Sequence, residues 1–437
     1  MLNNLRAFDR FSAGRRVASL AALGVLAADD IELQAMWRHV RNEAVHYGDA
    51  KALAGQLHQL GHAVENIHPE LGNSFTSALT PDILQSGGSL PELASMAAAI
   101  VEAFSEERRA DFGKWFDVVL DEISHGRQVS EVTTPRALAR LMAGIAKPNA
   151  GNSVLDPACG LGATLIEMSA MAPGTRLHGQ EIGQLAAALA TLRISLLGLR
   201  AEISLGDALR APARWANSVK TFDRVICDPP YGLSLSAQGD GVLTTRFGHL
   251  PTNRSEAMFI EHCLDSLSPE GRAVLLLPLG FLSRRGGEAS YRAGIVEAGL
   301  VEGVIALPSG VIPWADLPTA ILVLRRHPMP MKSIKIVDAS YLRHVGKRAA
   351  ERLTNEQVDQ LLALYGEPLE PHRAGYVATG KVLEQGADLQ PQHWLADKDT
   401  DQLDPSEILA RAVAAEARAE AAKLELERLM IDFGLHN

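Results

Sequence analysis

The residues with the sharpest chemical meaning are Asp228-Pro229-Pro230-Tyr231, which close the apolar run Phe222–Asp228. An exocyclic amine on an aromatic ring is a poor nucleophile, because its lone pair is delocalised into the ring. Two hydrogen-bond acceptors, one on each amine hydrogen, draw that nitrogen toward tetrahedral geometry. The lone pair is then free for in-line attack on a sulfonium methyl. The Asp228 carboxylate and the Pro229 carbonyl can be those acceptors. The paired prolines stiffen the loop, the preorganisation that such electrostatic work requires. Tyr231 offers a flat face on which a base taken out of a duplex can stack. Alone, the motif could equally be a stiffened loop with an incidental tyrosine.

An earlier constellation tips the balance. Asp156-Pro157-Ala158-Cys159-Gly160-Leu161-Gly162 directly follows the short run Ser153–Leu155. Glycines between a first strand and its helix let backbone approach a ligand closely. A dinucleotide fingerprint is excluded because the position three after Gly162 is Leu165, and no Gly-Lys-Ser/Thr follows for a phosphate loop. An acid plus glycines suits a ligand with an ammonium group and no phosphate, such as the methionine end of S-adenosylmethionine. Two further acids end later runs. Glu181 stands where a carboxylate can accept both ribose hydroxyls, and Asp207 is placed to accept from the adenine amine of the cofactor. Three acids at successive strand tips on one sheet edge argue more strongly than any one of them.

These residues need a sheet to carry them. Residues 1–126 read as a helical N-terminal domain, with helical spacing in Leu90–Phe104 and Phe112–Ile123. His46, His58, His62 and His68 show no metal-ligand pattern there. From about residue 130, short apolar runs alternate with amphipathic helices, the rhythm of a parallel α/β sheet. The runs are Ser153–Asp156, Arg176–Glu181, Ala201–Asp207, Phe222–Asp228, Arg272–Pro278, Val301–Pro308 and Thr319–Arg326, seven in all. Helices are expected over Gly183–Leu197 and from Ser255-Glu256 to Pro269-Glu270-Gly271. Only the loop Ser309–Pro318 links the last two runs, which suits a final antiparallel strand beside its predecessor. Residues 127–327 thus form the expected catalytic domain. A small α/β extension covers 328–402, with a strand at Ile334–Val337 and a capping box at Thr354-Asn355-Glu356-Gln357. A C-terminal helix fills 403–437, opened by Asp404-Pro405-Ser406-Glu407.

The net charge of −10 over 437 residues excludes a protein that coats nucleic acid by bulk charge, though not a local basic cleft. Arg246 and Arg254, after the tetrad, and Arg284-Arg285 are candidate phosphate contacts. Arg343, His344, Lys347, Arg348 and Arg352 form a further basic cluster. The three cysteines, Cys159, Cys227 and Cys263, are widely spaced and fit a reducing cytoplasm. Arg15-Arg16 before the apolar run Val17–Ala28 could mimic a twin-arginine export signal. An ordinary buried helix is the favoured reading, and no stretch is long enough to span a membrane.

Thr133-Thr134-Pro135, then Asp156 to Gly162, then Asp228 to Tyr231, in that order, resemble the adenine-N6 DNA methyltransferases. More closely, the chain resembles the modification subunit of type I restriction–modification systems. The likeness runs from Glu131 to Arg326, including Val301 to Pro308 and Ile321 to Leu324, and continues weakly through Leu389 to Trp394. It implies a Rossmann-like seven-stranded S-adenosylmethionine-dependent domain with an antiparallel seventh strand. It implies that Thr134 and Pro135, with Thr133 beside them, lie against the methionine end of the cofactor. Double-stranded DNA, a specificity (target-recognition) subunit and a second copy of the chain are the implied partners, with a restriction subunit as a further candidate. The family's tetrad usually begins with Asn, where this chain has Asp228; other amino methyltransferases use Asp there. The tetrad chemistry would also serve adenine in RNA or a glutamine side chain in a protein. A catalytically silent scaffold subunit is the non-enzymatic alternative.

Overall fold

A computed structural model of the chain describes residues 10–395, apart from 29, 46–49, 87–88, 105–108, 124–132, 216–220, 234–241, 252–254, 313–316, 328–332, 343–352 and 367–371. His46, Glu131, Arg254, the basic cluster from Arg343 to Arg352 and the C-terminal helix expected over 403–437 lie outside the described residues.

The N-terminal part is helical, as its periodicity predicts. It comprises α1 (Arg10–Ala27), α2 (Ile31–Val45), α3 (Ala50–Ile67), α4 (Thr80–Leu84), α5 (Leu90–Ala103) and α6 (Arg109–Ile123). The apolar run behind Arg15-Arg16 is the buried side of α1, with Leu20, Ala21, Ala22 and Leu23 fully enclosed. Arg15 itself makes a two-point contact with Asp82, Nε to Oδ2 at 3.0 Å and Nη2 to Oδ1 at 2.7 Å. The arginine pair is thus a structural tie to α4. Among the described residues, no helix is long and apolar enough to cross a membrane.

Helix α7 (Arg136–Ala146) leads into an alternation of strands and helices: β1 (Ser153–Asp156), α8 (Ala163–Met171), β2 (Arg176–Glu181), α9 (Gln184–Leu196), β3 (Ala201–Leu205) and β4 (Phe222–Cys227). There follow β5 (Val242–Thr245), β6 (Gly248–Pro251), α10 (Ser255–Ser266), β7 (Leu267–Pro278), α11 (Gly287–Glu297), β8 (Val301–Ala306) and β9 (Thr319–Arg325). The chain continues through β10 (Ser333–Asp338), α12 (Asn355–Gly366), β11 (Ala374–Ala378) and α13 (Thr379–Glu384).

Among the described residues the main sheet has nine strands, not the seven expected, in the order β11-β10-β8-β9-β7-β4-β1-β2-β3. The difference lies in residues assigned to a small extension. Strand β10 pairs parallel with β8, and β11 pairs antiparallel with β10, so both prolong the same sheet. The antiparallel β9 sits between β7 and β8 and pairs with each, as its short connection predicts. Residues 242–251, read from sequence as loop, form a separate hairpin of β5 and β6. The capping box at Thr354 is realised in both directions, Thr354 N donating to Gln357 Oε1 at 2.9 Å and Gln357 N to Thr354 Oγ1 at 3.2 Å.

Successive strand residues face opposite sides. Val225, Cys227, Leu275 and Leu277 pack against α10 and α11, while Ile226, Val274 and Leu276 pack against α7, α8 and α12. A third cluster joins the N-terminal helices to Leu161 and to Ala186, Leu189 and Leu192 of α9. The helical part therefore shares its core with the loop that follows β1.

Candidate active site

Because β1, β2, β3 and β4 run parallel, their carboxyl ends open on one edge, where α/β sheets bind ligands. At the tip of β1, Asp156 is enclosed to 1% exposure. Its Oδ1 accepts from the Ala158 amide at 3.0 Å, and its Oδ2 takes a short hydrogen bond from the Thr164 hydroxyl. Burial raises its pKa to about 7, against the pull of Thr164 and Ala158, and the charges of Asp228 and Glu181 push it up further.

The loop then turns through Gly160 (φ +52°) and Gly162 (φ +78°), left-handed conformations that side-chain-bearing residues resist. Pro157, Cys159, Gly160 and Gly162 are buried and Ala158 is half-buried. The Cys159 amide donates to Gln180 O at 3.0 Å, and the Gly162 amide to Cys159 O at 2.7 Å. Burial pushes the Cys159 thiol well above its usual range, so it stays neutral.

Glu181 ends β2 as expected and is tied to backbone, accepting from Gly160 N at 3.0 Å and from Gly183 N at 2.7 Å. Asp207 departs from expectation. Strand β3 stops at Leu205, because Gly206 turns the chain at φ +153°. Asp207 therefore begins a turn, its Oδ1 accepting from Leu209 N at 3.0 Å.

The tetrad follows β4 directly. Asp228 is half-buried, Pro229 is buried and Pro230 is exposed. Thr134, 94 residues upstream, donates its hydroxyl to Asp228 Oδ2 at 2.8 Å. The Tyr231 hydroxyl donates to Asp228 Oδ1 at 2.9 Å. Burial raises the Asp228 pKa to about 6, and the two hydroxyls restrain the rise. Thr134 thus bears on the tetrad itself, next to Pro135, the N-cap residue of α7. Thr133 is buried, and its hydroxyl has no hydrogen-bond partner among the described residues.

Sequence reasoning missed two residues here. Thr164 anchors Asp156 from the first turn of α8, and Ile182 stands 70% exposed beside Glu181. An apolar residue immediately after a strand-tip acid was the available signal for Ile182. The arginine readings fare unevenly. Arg246 is taken by Glu261, Nε to Oε2 at 2.9 Å, and closely by Asp265, so it is not free for phosphates. Arg284 lies 3.4 Å from Glu288, whereas Arg285 is exposed.

The donor set fits S-adenosylmethionine. Carboxylates line the edge, residues 156–162 carry no basic side chain for a phosphate, the glycines admit close backbone approach, and Thr133 holds a buried hydroxyl unspent among the described residues.

Residues 107–402 match the family profile described as N-6 DNA Methylase. The chain belongs to that family. Among its relatives, the type I restriction enzyme MjaVIII methylase subunit of Methanocaldococcus jannaschii is 28% identical over 256 residues, 54% of this chain and 44% of that protein. The EcoEI methylase subunit of Escherichia coli is 24% identical over 258 residues, 55% of this chain and 51% of its own length. The chain spans about half the length of the curated relatives it matches. In three dimensions it is similar to the type I restriction-modification methyltransferase subunit from Streptococcus thermophilus. The TM-score is 0.70 at 18% identity, covering 90% of this chain and 97% of that one. That likeness establishes the N-6 DNA methylase fold.

Proposed function

We propose that this chain transfers a methyl group from S-adenosylmethionine to the N6 amino group of adenine in DNA, as the modification subunit of a type I restriction–modification assembly. The observation that carries the reading is the clamp of Thr134 and Tyr231 on Asp228, which gathers the Thr-Thr-Pro segment and the tetrad at the edge that holds Asp156 and Glu181. When bound, S-adenosylmethionine would supply an electrophilic methyl group. The loop 156–162, Glu181, Thr133 and Pro135 would hold it, with Thr134 turned to Asp228 and with Asp207 and Ile182 near its nucleoside end.

Each Asp228 oxygen keeps a lone pair beyond the one given to a hydroxyl. The carboxylate can therefore accept an amine hydrogen while both hydroxyls fix its direction. Among the described residues none donates to the Pro229 carbonyl, which serves as the second acceptor. The proton lost from N6 after transfer can rest on Asp228, whose raised pKa suits that exchange. The Tyr231 ring, anchored through its hydroxyl, is the stacking face for a base turned out of the duplex.

The acidic net charge and the ion-paired Arg246 favour a chain that relies on a specificity subunit and a second copy of itself for much of its grip on DNA; a restriction subunit is a further candidate partner, and the cytoplasm the compartment. The test is nucleoside mass spectrometry with modification-aware sequencing of host DNA, from unaltered cells and from cells carrying Asp228→Ala. Loss of N6-methyladenine at one sequence motif is expected. Unchanged DNA methylation would overturn the assignment and redirect it to RNA adenine, protein glutamine or a silent scaffold.

A further inference from the structure

The helical part meets α9, which packs on the sheet, through a buried ionic contact. Helix α6 meets α9 at Gly113, where an added Cβ would lie 1.9 Å from the Leu196 carbonyl oxygen, so only glycine permits the approach. One turn further along α6, Asp117 is buried to 3% exposure and faces Arg193 of α9, itself at 2%. Arg193 Nε and Nη2 both reach Asp117 Oδ1, at 2.8 and 2.6 Å. The third nitrogen, Nη1, donates at 3.1 Å to the carbonyl of Leu161, the residue between the two left-handed glycines. The other oxygen, Asp117 Oδ2, accepts from Arg136 Nη1 at 3.0 Å, while Arg136 Nε reaches Glu167 Oε1 at 3.0 Å. Arg136 is the residue after Thr133-Thr134-Pro135.

We infer that Asp117 is a positioning residue for the cofactor site: through Arg193 it fixes the carbonyl of Leu161, and through Arg136 it fixes the segment that carries Thr134. The inference rests on reading residues 156–162 as the S-adenosylmethionine loop. A buried ion pair contributes little net stability compared with an apolar pair but imposes direction. Here the direction is imposed on a loop whose glycines would otherwise leave it loose. Burial works against the charge on Arg136, and Asp117 and Glu167 outweigh it, so the guanidinium stays protonated at any working pH.

The test is calorimetric titration of the full chain with S-adenosylmethionine, together with hydrogen exchange over residues 156–162. Asp117→Asn keeps the side chain's shape but turns an amide NH2 toward Arg136 and removes the charge. Arg193→Lys keeps the charge but cannot serve Asp117 and Leu161 together. Each is expected to weaken cofactor binding about tenfold and to speed exchange in the loop, with exchange in α1–α5 unchanged; kcat at saturating cofactor should stay within about twofold for Arg193→Lys, which leaves the Arg136–Asp117 contact in place. Val118→Ser, on the exposed side of the same helix, is expected to alter none of these. Unchanged affinity in folded Asp117→Asn and Arg193→Lys proteins would overturn the inference. So would exchange that rises uniformly through the N-terminal helices, the mark of a purely structural tie. Failure of the unaltered chain to bind the cofactor would sink the loop assignment itself and this role with it.

Discussion

The loop after β1 and the loop after β4 leave neighbouring strands at the same edge, yet they are held by different kinds of contact. In the first, backbone amides of Ala158, Cys159 and Gly160 donate to Asp156, Gln180 and Glu181, all within the β1–β2 unit. In the second, a side-chain hydroxyl from Thr134 and another from Tyr231 converge on one carboxylate. The first loop is shaped mainly by its own backbone and fails when that backbone cannot turn. The second is shaped by side chains and can be weakened one bond at a time.

The largest effect should come from forcing the first loop. Gly160→Val places a β-branched residue at φ +52°, and cofactor affinity measured by calorimetry should fall by roughly a hundredfold or more. Thr134→Val should separate the two loops: kcat falls about tenfold while cofactor affinity stays within about twofold. A large loss of affinity instead would assign Thr134 to the cofactor. The pH profile sharpens the same point. Asp228 is the stronger acceptor, and can take up the N6 proton, only as the carboxylate, so kcat/KM should rise with pH and reach half its plateau near pH 6. The Tyr231 hydroxyl favours the charged form, so Tyr231→Phe should move that midpoint upward. The smallest effect belongs to Arg246→Gln. Its guanidinium is committed to Glu261 and Asp265, so DNA affinity of the assembled enzyme, measured by fluorescence anisotropy, should stay within about twofold.

Much of this was legible in the sequence, for physical reasons. Strands buried on both faces give largely apolar runs whatever their direction, so β1, β4, β7, β8 and the antiparallel β9 stood out. Gly198, left-handed at φ +70°, marks the end of the helix expected over Gly183–Leu197. Strand β11 was hidden because Ala374–Ala378 has only two buried positions and Tyr376 is exposed. The β5–β6 hairpin was overlooked although Thr245 to Gly248 make a turn between two short runs. Asp207 shows the limit of reading acids as strand ends: a glycine one residue earlier moved the boundary. Contacts such as Thr134–Asp228 and Arg246–Glu261 depend on tertiary placement, and neither residue type nor spacing announces them.

The placement of β9 has a consequence for how the chain is made. Strands β7 and β8 each pair with β9 and not with one another, so β9 alone stitches β8, β10 and β11 to the rest of the sheet. On the ribosome, everything up to residue 318 emerges with the flanks of β7 and β8 still open, and open strand flanks invite pairing with other chains. Completion of the seven residues Thr319–Arg325 closes these two flanks at once, and the only edge then left on that side is the outer flank of β8, which waits for β10.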